Sequence, residues 1–148
     1  MTNVGQGAAD QFRPAYFDPL ATVELTSIIC RKFEEQPSHV ITTVPEFEGS
    51  GLYAIYYVGQ SEELYQPLAP YKIPVYVGSA QSHNSATGVG VRQARPLWTR
   101  VRQHRRSIEE GGLNTDEFAV RLLLLPDVHI DLGENGLRVG YQPVGTQC

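Results

Sequence analysis

The sequence predicts one domain of the α+β class, in which short strands and helices share a core. Residues 52–58 and 73–78 are rich in β-branched and aromatic side chains, as strands are. Two other segments repeat apolar residues at helical spacing, one before these strands and one after them. The length of 148 residues suits a single domain with a sizeable core.

The composition limits the class of protein. A hydrophobic content of 41% is ordinary for a soluble globular protein, and no apolar run approaches the ~20 residues that span a bilayer. The first ten residues lack a basic region followed by an apolar one, so no secretory signal is expected. Cys30 and Cys148 lie far apart, which suits a reducing cytoplasm and offers no metal-ligand spacing.

A loose arm over residues 1–17 is expected to precede the first helix. Asp18 and Pro19 are a start signal, because an acidic N-cap is followed by proline at the first helical position. The buried face of this helix is predicted from four apolar residues at helical spacing, Leu25, Ile28, Ile29 and Phe33. Pro37 is expected to end the helix near Gln36.

Each predicted strand places a tyrosine beside a glycine, where the phenol could project into a site. In Gly51-Leu52-Tyr53 the glycine directly precedes the first strand, and Tyr76-Val77-Gly78 ends the second. We expect the two strands to pair antiparallel. Tyr57-Val58-Gly59 has the same pattern as the second tripeptide, but it follows Tyr53 by only four residues and leaves no room for a hairpin. Tyr57 is therefore assigned to the end of the first strand.

Basic residues are concentrated after the second strand. Six of the twelve lysines and arginines fall in one short stretch, as Arg92, Arg95, Arg100, Arg102, Arg105 and Arg106. The net charge of −4 argues against a nucleic-acid-binding protein. A local basic patch on an acidic protein can nevertheless contact phosphates. The alternative is an ordinary solvated helix face.

Pro96 is predicted to open a helix over residues 97–110, which Gly111 and Gly112 end. At 100° per residue, its core-facing stripe consists of Leu97, Val101 and Ile108.

His104 falls inside that stripe and Arg100 lies on its edge, whereas Arg102 and Arg106 point away. An unpaired charge beside the core is costly. Arg100 and His104 therefore belong either to a functional site or to ordinary packing, as an acid-paired arginine and a satisfied core histidine.

The last third of the chain is predicted to begin with a buried strand. Residues 118–125 are mostly apolar, and Pro126 is expected to end that strand. Residues 128–132 are predicted to continue as a short extended segment. Glu134 would suit a helix start electrostatically, but Gly136 and Gly140 weaken a helix there.

Taken in order, these motifs resemble the GIY-YIG nuclease superfamily. Gly51-Leu52-Tyr53 and Tyr76-Val77-Gly78 are similar to its paired signatures, and Arg100 with His104 four residues later resembles its type II restriction endonuclease branch. Leu132-Gly133-Glu134 matches the position of that branch's metal-binding glutamate. The resemblance covers about residues 16–143 and implies a small three-stranded antiparallel sheet flanked by helices.

The resemblance also implies a role for five residues. Tyr53 would be the general base or would orient the attacking water, and Tyr76 would support the water and the phosphate. Arg100 would neutralise charge developing on the phosphate. His104 would accept the tyrosine proton or hold the phenol, and Glu134 would bind a single Mg²⁺.

The implied substrate is double-stranded DNA, cut at specific sites by a homodimer on a palindrome. The arginines expected to contact DNA are Arg92, Arg95, Arg102, Arg105 and Arg106. The family pattern ends with proline, an aromatic residue and asparagine, whereas Pro143 is followed by Val144, and Thr146 stands in the asparagine's place. The alternatives are therefore a catalytically impaired DNA-binding remnant, a repair or homing-type nuclease, and an unrelated α/β binding module.

Overall fold

A computed structural model describes residues 12–17, 23–68, 73–82 and 93–140. Its helices are α1 (Val23–Glu35), α2 (Pro96–Glu110) and α3 (Asp127–Gly140). Its strands are β1 (Ser38–Val40), β2 (Gly51–Tyr57), β3 (Tyr76–Ala80) and β4 (Phe118–Leu124). Short 3-10 helices occupy Ile41–Thr43, Gln66–Leu68 and Thr115–Glu117. No helix within these described ranges has the length and hydropathy needed to cross a membrane.

The four strands form one antiparallel sheet in the order β1-β4-β2-β3. The α+β class and the antiparallel sheet are confirmed, with four strands in place of the expected three. The additional strand, β1, pairs Ser38 with Arg121 and Val40 with Ala119. It is three residues long and mostly exposed, so it carries too little apolar alternation to be recognised in the sequence.

The alternation of side chains along β2 separates two layers of core. One face of β2 packs against α2 and carries Tyr53, Ile55 and Tyr57. The other face packs against α1 and α3 and carries Leu52, Ala54 and Tyr56. All seven residues of β2 are buried because the strand lies inside the sheet with helices on both sides. Tyr53 therefore projects toward α2.

The prediction of an extended segment at residues 128–132 is wrong, because helix α3 occupies Asp127–Gly140. Glycine weakens an isolated helix, but here it permits close packing. A Cβ atom at Gly133 would lie 2.7 Å from Leu52 Cδ1, and one at Gly136 would overlap Thr26 Cγ2. Tertiary packing against β2 and α1 thus outweighs the low helix propensity.

The other element boundaries differ from the predictions by a few residues. Helix α1 ends at Glu35, one residue before the predicted position, whereas its predicted start at Asp18 and Pro19 lies outside the described residues. Strand β3 begins and ends later than the predicted 73–78. Helix α2 begins at Pro96 as expected, and Gly112, with φ of +75°, follows its end in a conformation that favours glycine.

Candidate active site

Tyr53 is the most buried residue of the candidate site, with 2% of its surface exposed. It pairs with Gly78 across β2 and β3, and its ring crosses over that glycine. A Cβ atom at position 78 would lie 2.6 Å from Tyr53 Oη and 2.7 Å from Cζ. The glycine of the Tyr-Val-Gly segment therefore provides the space in which the phenol reaches the edge of the sheet.

Tyr76 lies beside Tyr53 on the same face of the sheet, because its register partner is Ile55. The two rings stack with centroids 5.9 Å apart and planes 20° apart. Tyr76 is 47% exposed. It forms the solvent side of the site, whereas Tyr53 forms the buried side.

Tyr57 occupies a different environment from Tyr76. It ends β2 and is buried. Its hydroxyl donates to Glu117 Oε2 at 3.1 Å and accepts from the backbone N–H of Glu62 at 2.8 Å. The bond from Glu62 anchors the connection that follows β2, and the bond to Glu117 joins the end of β2 to the 3-10 helix before β4. Tyr57 therefore has a structural role, and Tyr76 is the tyrosine beside Tyr53.

His104 connects helix α2 to the phenol of Tyr53. The two residues share a hydrogen bond in which Tyr53 Oη lies 2.7 Å from His104 Nε2. The imidazole also lies against Tyr76, with ring centroids 4.6 Å apart. Burial first, and the charge of Arg100 second, lower the pKa of His104. The neutral imidazole is thus favoured, and when its Nε2 is unprotonated the Tyr53 hydroxyl donates.

The pKa of Tyr53 is raised above the ordinary value for a phenol. Burial is the largest cause, followed by charge and hydrogen bonding with Tyr76, while Arg100 lowers the pKa and Glu134 raises it. Without bound metal or DNA, the Tyr53 phenol is consequently neutral at physiological pH. These opposing effects also place Arg100 and Glu134 within electrostatic reach of the phenol.

Arg100 lies one turn before His104 on α2, and its side chain is exposed. The sequence predicts that Arg100 lies at the edge of the core and that it either pairs with an acid or belongs to a functional site. No carboxylate in the described part of the chain forms an ion pair with it. Its charge instead acts on Tyr53 and His104, whose pKa values it lowers.

Glu134 approaches the site from the other face of the sheet. Its carboxylate accepts a hydrogen bond from Ser79 Oγ, and Ser79 pairs with Leu52, which faces α1 and α3. Arg138, one turn later on α3, places Nη2 at 2.6 Å from Glu134 Oε1. The site therefore spans the edge strand β3, with Tyr53, Tyr76 and α2 on one side and Glu134 on the other.

Glu134 is compatible with an open metal site. Among the described residues, no group of three or more His, Cys, Asp or Glu side chains is arranged to hold a metal ion. Mg²⁺ commonly binds one or two protein carboxylates and completes its six ligands with water and substrate phosphate oxygens. A single carboxylate fits that mode, and it does not fit a cage made only of protein ligands.

A protein-family model described as the Eco29kI GIY-YIG domain matches residues 45–148. This is 104 of the 148 residues and includes both tyrosine-bearing strands, α2 and α3. The chain belongs to the Eco29kI GIY-YIG family. Because this family is of the restriction-endonuclease type, the match indicates a nuclease domain. No curated protein matches the chain significantly.

The predicted DNA-contacting arginines of this GIY-YIG domain lie in several environments. Arg92 falls outside the described residues. Arg95 precedes α2 and forms an ion pair with Glu46, with Nη1 2.6 Å from Oε1. Arg105 forms a longer pair with Glu109, with Nε 3.3 Å from Oε1. Both pairs are exposed enough that water and salt weaken them.

Three of these arginines share one surface on the outer side of α2. The guanidinium of Arg102 lies over the Trp98 ring at 5.9 Å from its centroid. A shallow depression of about 280 Å³ is lined by Trp98, Arg102, Arg105, Arg106 and Glu109. Helical geometry turns Arg102 and Arg106 away from Arg100. The basic stretch of the GIY-YIG domain is therefore divided between the site and a separate surface.

Two residues around Glu134 were not found from the sequence. Ser79 immediately follows the Tyr-Val-Gly segment, and Arg138 follows Glu134 by four residues. A spacing of four brings side chains together only on a helix. Since residues 128–132 were expected to be extended, the pair between Arg138 and Glu134 could not be anticipated. Pro143, Val144 and Thr146, where the motif departs from its family, lie outside the described residues.

Proposed function

We propose that this protein is a site-specific type II restriction endonuclease that hydrolyses phosphodiester bonds of double-stranded DNA with one Mg²⁺. The observation that carries the proposal is the 2.7 Å contact between Tyr53 Oη and His104 Nε2 in a domain of the Eco29kI family. A buried phenol joined to a neutral imidazole can move a proton. Arg100, beside this pair, is suited to binding a phosphate.

Tyr53 is the proposed general base. A free phenol has a pKa near ~10, and burial raises that of Tyr53 further, so its anion is scarce. The hydrogen bond to His104 avoids the need for a free anion. As the attacking water gives its proton to Tyr53 Oη, the original phenolic proton moves to His104 Nε2, and the water oxygen bonds to phosphorus. The bond from phosphorus to the departing sugar oxygen breaks at the same time, and that oxygen takes a proton from solvent.

Arg100 and Tyr76 act on the phosphate in this mechanism. Arg100 is exposed and adjacent to the Tyr53–His104 pair, so its guanidinium can donate to a phosphate oxygen as negative charge develops there. Groups of this kind typically contribute about 3 kcal/mol to the transition state. The half-exposed Tyr76 supports the water and the phosphate from the solvent side.

Glu134 is the proposed ligand of the Mg²⁺. When bound, the ion would supply positive charge to the phosphate and the departing oxygen. Glu134 reaches the site from α3 while Arg100 and His104 reach it from α2. The substrate phosphate is thereby expected to bind over the edge strand β3, between the two helices.

The proposed enzyme acts on both strands of the DNA. Cutting both strands of a palindrome calls for two sites related by a twofold axis, so we propose a homodimer. The proposed phosphate contacts outside the catalytic centre are Arg92, Arg95, Arg102, Arg105 and Arg106. We propose one nuclease domain over residues 1–148, acting in the cytoplasm, where a restriction enzyme meets its DNA.

A catalytically impaired DNA-binding remnant is the second candidate. It is favoured by Val144 after Pro143 and by Thr146 in the place of the family's asparagine. Plasmid digestion with Mg²⁺, followed by sequencing of the ends, separates the two. Discrete fragments with one end sequence support the endonuclease, and salt-dependent binding without cleavage supports the remnant. Random nicking supports a repair or homing-type nuclease, and absence of DNA binding contradicts all three.

A further inference from the structure

Both oxygens of the Glu134 carboxylate already have partners. Ser79 Oγ donates a hydrogen bond to Oε2, and Arg138 Nη2 lies 2.6 Å from Oε1. The proposed function assigns a Mg²⁺ to this same carboxylate. A cation that binds Oε1 therefore meets a guanidinium already in contact with that oxygen.

The two partners differ in how easily they can leave. Ser79 belongs to the edge strand β3 and is held there by strand pairing with Leu52 of β2. Arg138 is on the last turn of α3, and its side chain is 56% exposed, against 18% for Glu134. A long side chain with half of its surface in water can move away without disturbing the fold. Arg138 is thus the contact that opens, and Ser79 keeps the carboxylate oriented.

We propose that Arg138 occupies the metal's place on Glu134 Oε1 before metal binds, and competes with the divalent cation for this carboxylate. This proposal rests on the proposed function, which makes Glu134 the metal ligand. A guanidinium and a divalent cation on the same carboxylate oxygen repel each other, so each weakens the binding of the other. The competition weakens metal binding and raises the metal concentration that the nuclease requires.

The inference is tested by Mn²⁺ binding to the protein without DNA, with free Mn²⁺ measured by electron paramagnetic resonance. Arg138→Gln removes the charge and retains a polar side chain of similar shape. Its Kd for Mn²⁺ is expected to be about two- to fivefold lower than that of the wild type, the range that corresponds to an exposed ion pair. Arg138→Lys keeps the charge and should remain close to the wild type.

Lys32→Gln is the matched control for loss of one positive charge. Lys32 forms an exposed ion pair with Glu35 at 3.3 Å on α1, so this variant should leave the Mn²⁺ Kd unchanged. An unchanged or higher Kd in Arg138→Gln, or an equal decrease in Lys32→Gln, would overturn the proposal.

Glu134→Gln separates failure of this inference from failure of the proposed metal site. If Glu134→Gln loses Mn²⁺ binding and Arg138→Gln does not tighten it, only the competition is wrong. If the wild type and Glu134→Gln have the same Kd, or the wild type binds no Mn²⁺ even with a DNA duplex present, Glu134 is not the metal ligand and both proposals fail.

Discussion

Tyr53 Oη and His104 Nε2 lie 2.7 Å apart, although the residues are separated by 51 positions and belong to a strand and a helix. The contact requires a phenol on the face of β2 that packs against α2, and a histidine one turn after Arg100. It also requires that no side chain at position 78 obstruct the ring of Tyr53. The strands and the helix therefore form one site.

Replacing His104 with glutamine should remove the proton acceptor while keeping a polar side chain on α2. Single-turnover cleavage is expected to slow by about 10²- to 10⁴-fold, the usual contribution of a positioned acid or base. DNA affinity and the thermal unfolding midpoint measured in parallel should change little, because His104 is only half-buried. Cleavage within threefold of the wild type would exclude His104 from proton transfer.

The pKa of His104 is expected to lie below the ordinary histidine value, because burial and Arg100 both lower it. Activity that needs the neutral imidazole should then persist as pH falls through the range where an exposed histidine is protonated, and decline at lower pH. In Arg100→Gln the pKa should rise, since removal of a positive neighbour favours protonation. NMR titration of the His104 ring measures its pKa in the wild type and in Arg100→Gln. An equal pKa in the two proteins would contradict this arrangement.

Gly78→Ala should displace Tyr53, because the new Cβ would lie 2.6 Å from Oη. We expect a loss of about 1–3 kcal/mol in unfolding free energy, typical of overpacking, together with a large fall in cleavage. The control is the same substitution in a Tyr53→Ala background, where the obstructed ring is absent. Double-mutant analysis of chemical denaturation should show a coupling above about 0.5 kcal/mol. Additive effects would mean that the ring does not need the glycine.

Gly136→Ala is expected to destabilise the protein, although replacing glycine with alanine usually stabilises a helix. In an exposed helix it adds up to about 1 kcal/mol of stability, but in α3 the new Cβ would overlap Thr26 Cγ2 on α1. We expect destabilisation by about 1–3 kcal/mol in urea unfolding. Thr26→Ser removes the obstructing methyl and keeps the hydroxyl, so it should recover part of the loss. Stabilisation by Gly136→Ala alone would show that α1 and α3 are packed less closely.

The sequence was sufficient for elements whose local signals agree with their packing. Pro96, the core-facing stripe of α2 and the two glycines after it predicted that helix nearly to the residue. It failed where tertiary contacts decide. Gly133 and Gly136 oppose a helix locally, yet the close approach of Leu52 and Thr26 favours them in α3. Strand β1 forms because it pairs with β4, and a segment of three residues is too short to predict that pairing.

In the candidate site, too, local signals predicted some features and tertiary contacts decided the others. The spacing of Arg100 and His104 predicted that they share a helix face, and the glycine-linked tyrosines predicted a strand pair. Tyr53 is buried, whereas Tyr76 and Arg100 are exposed. This difference depends on the order of the strands in the sheet, so the spacing of the residues could not predict it. The ion pair of Glu134 with Arg138 depended on a helix that was not expected.

In the proposed function, Arg100 and Glu134 contact one phosphate from opposite sides of β3. The most direct test is Mg²⁺-dependent plasmid cleavage by the wild type, Arg100→Ala and Glu134→Ala, each shown by circular dichroism to be folded. Discrete fragments are expected from the wild type, and no cleavage is expected from either variant. Cleavage at the wild-type rate by Arg100→Ala or Glu134→Ala would contradict it.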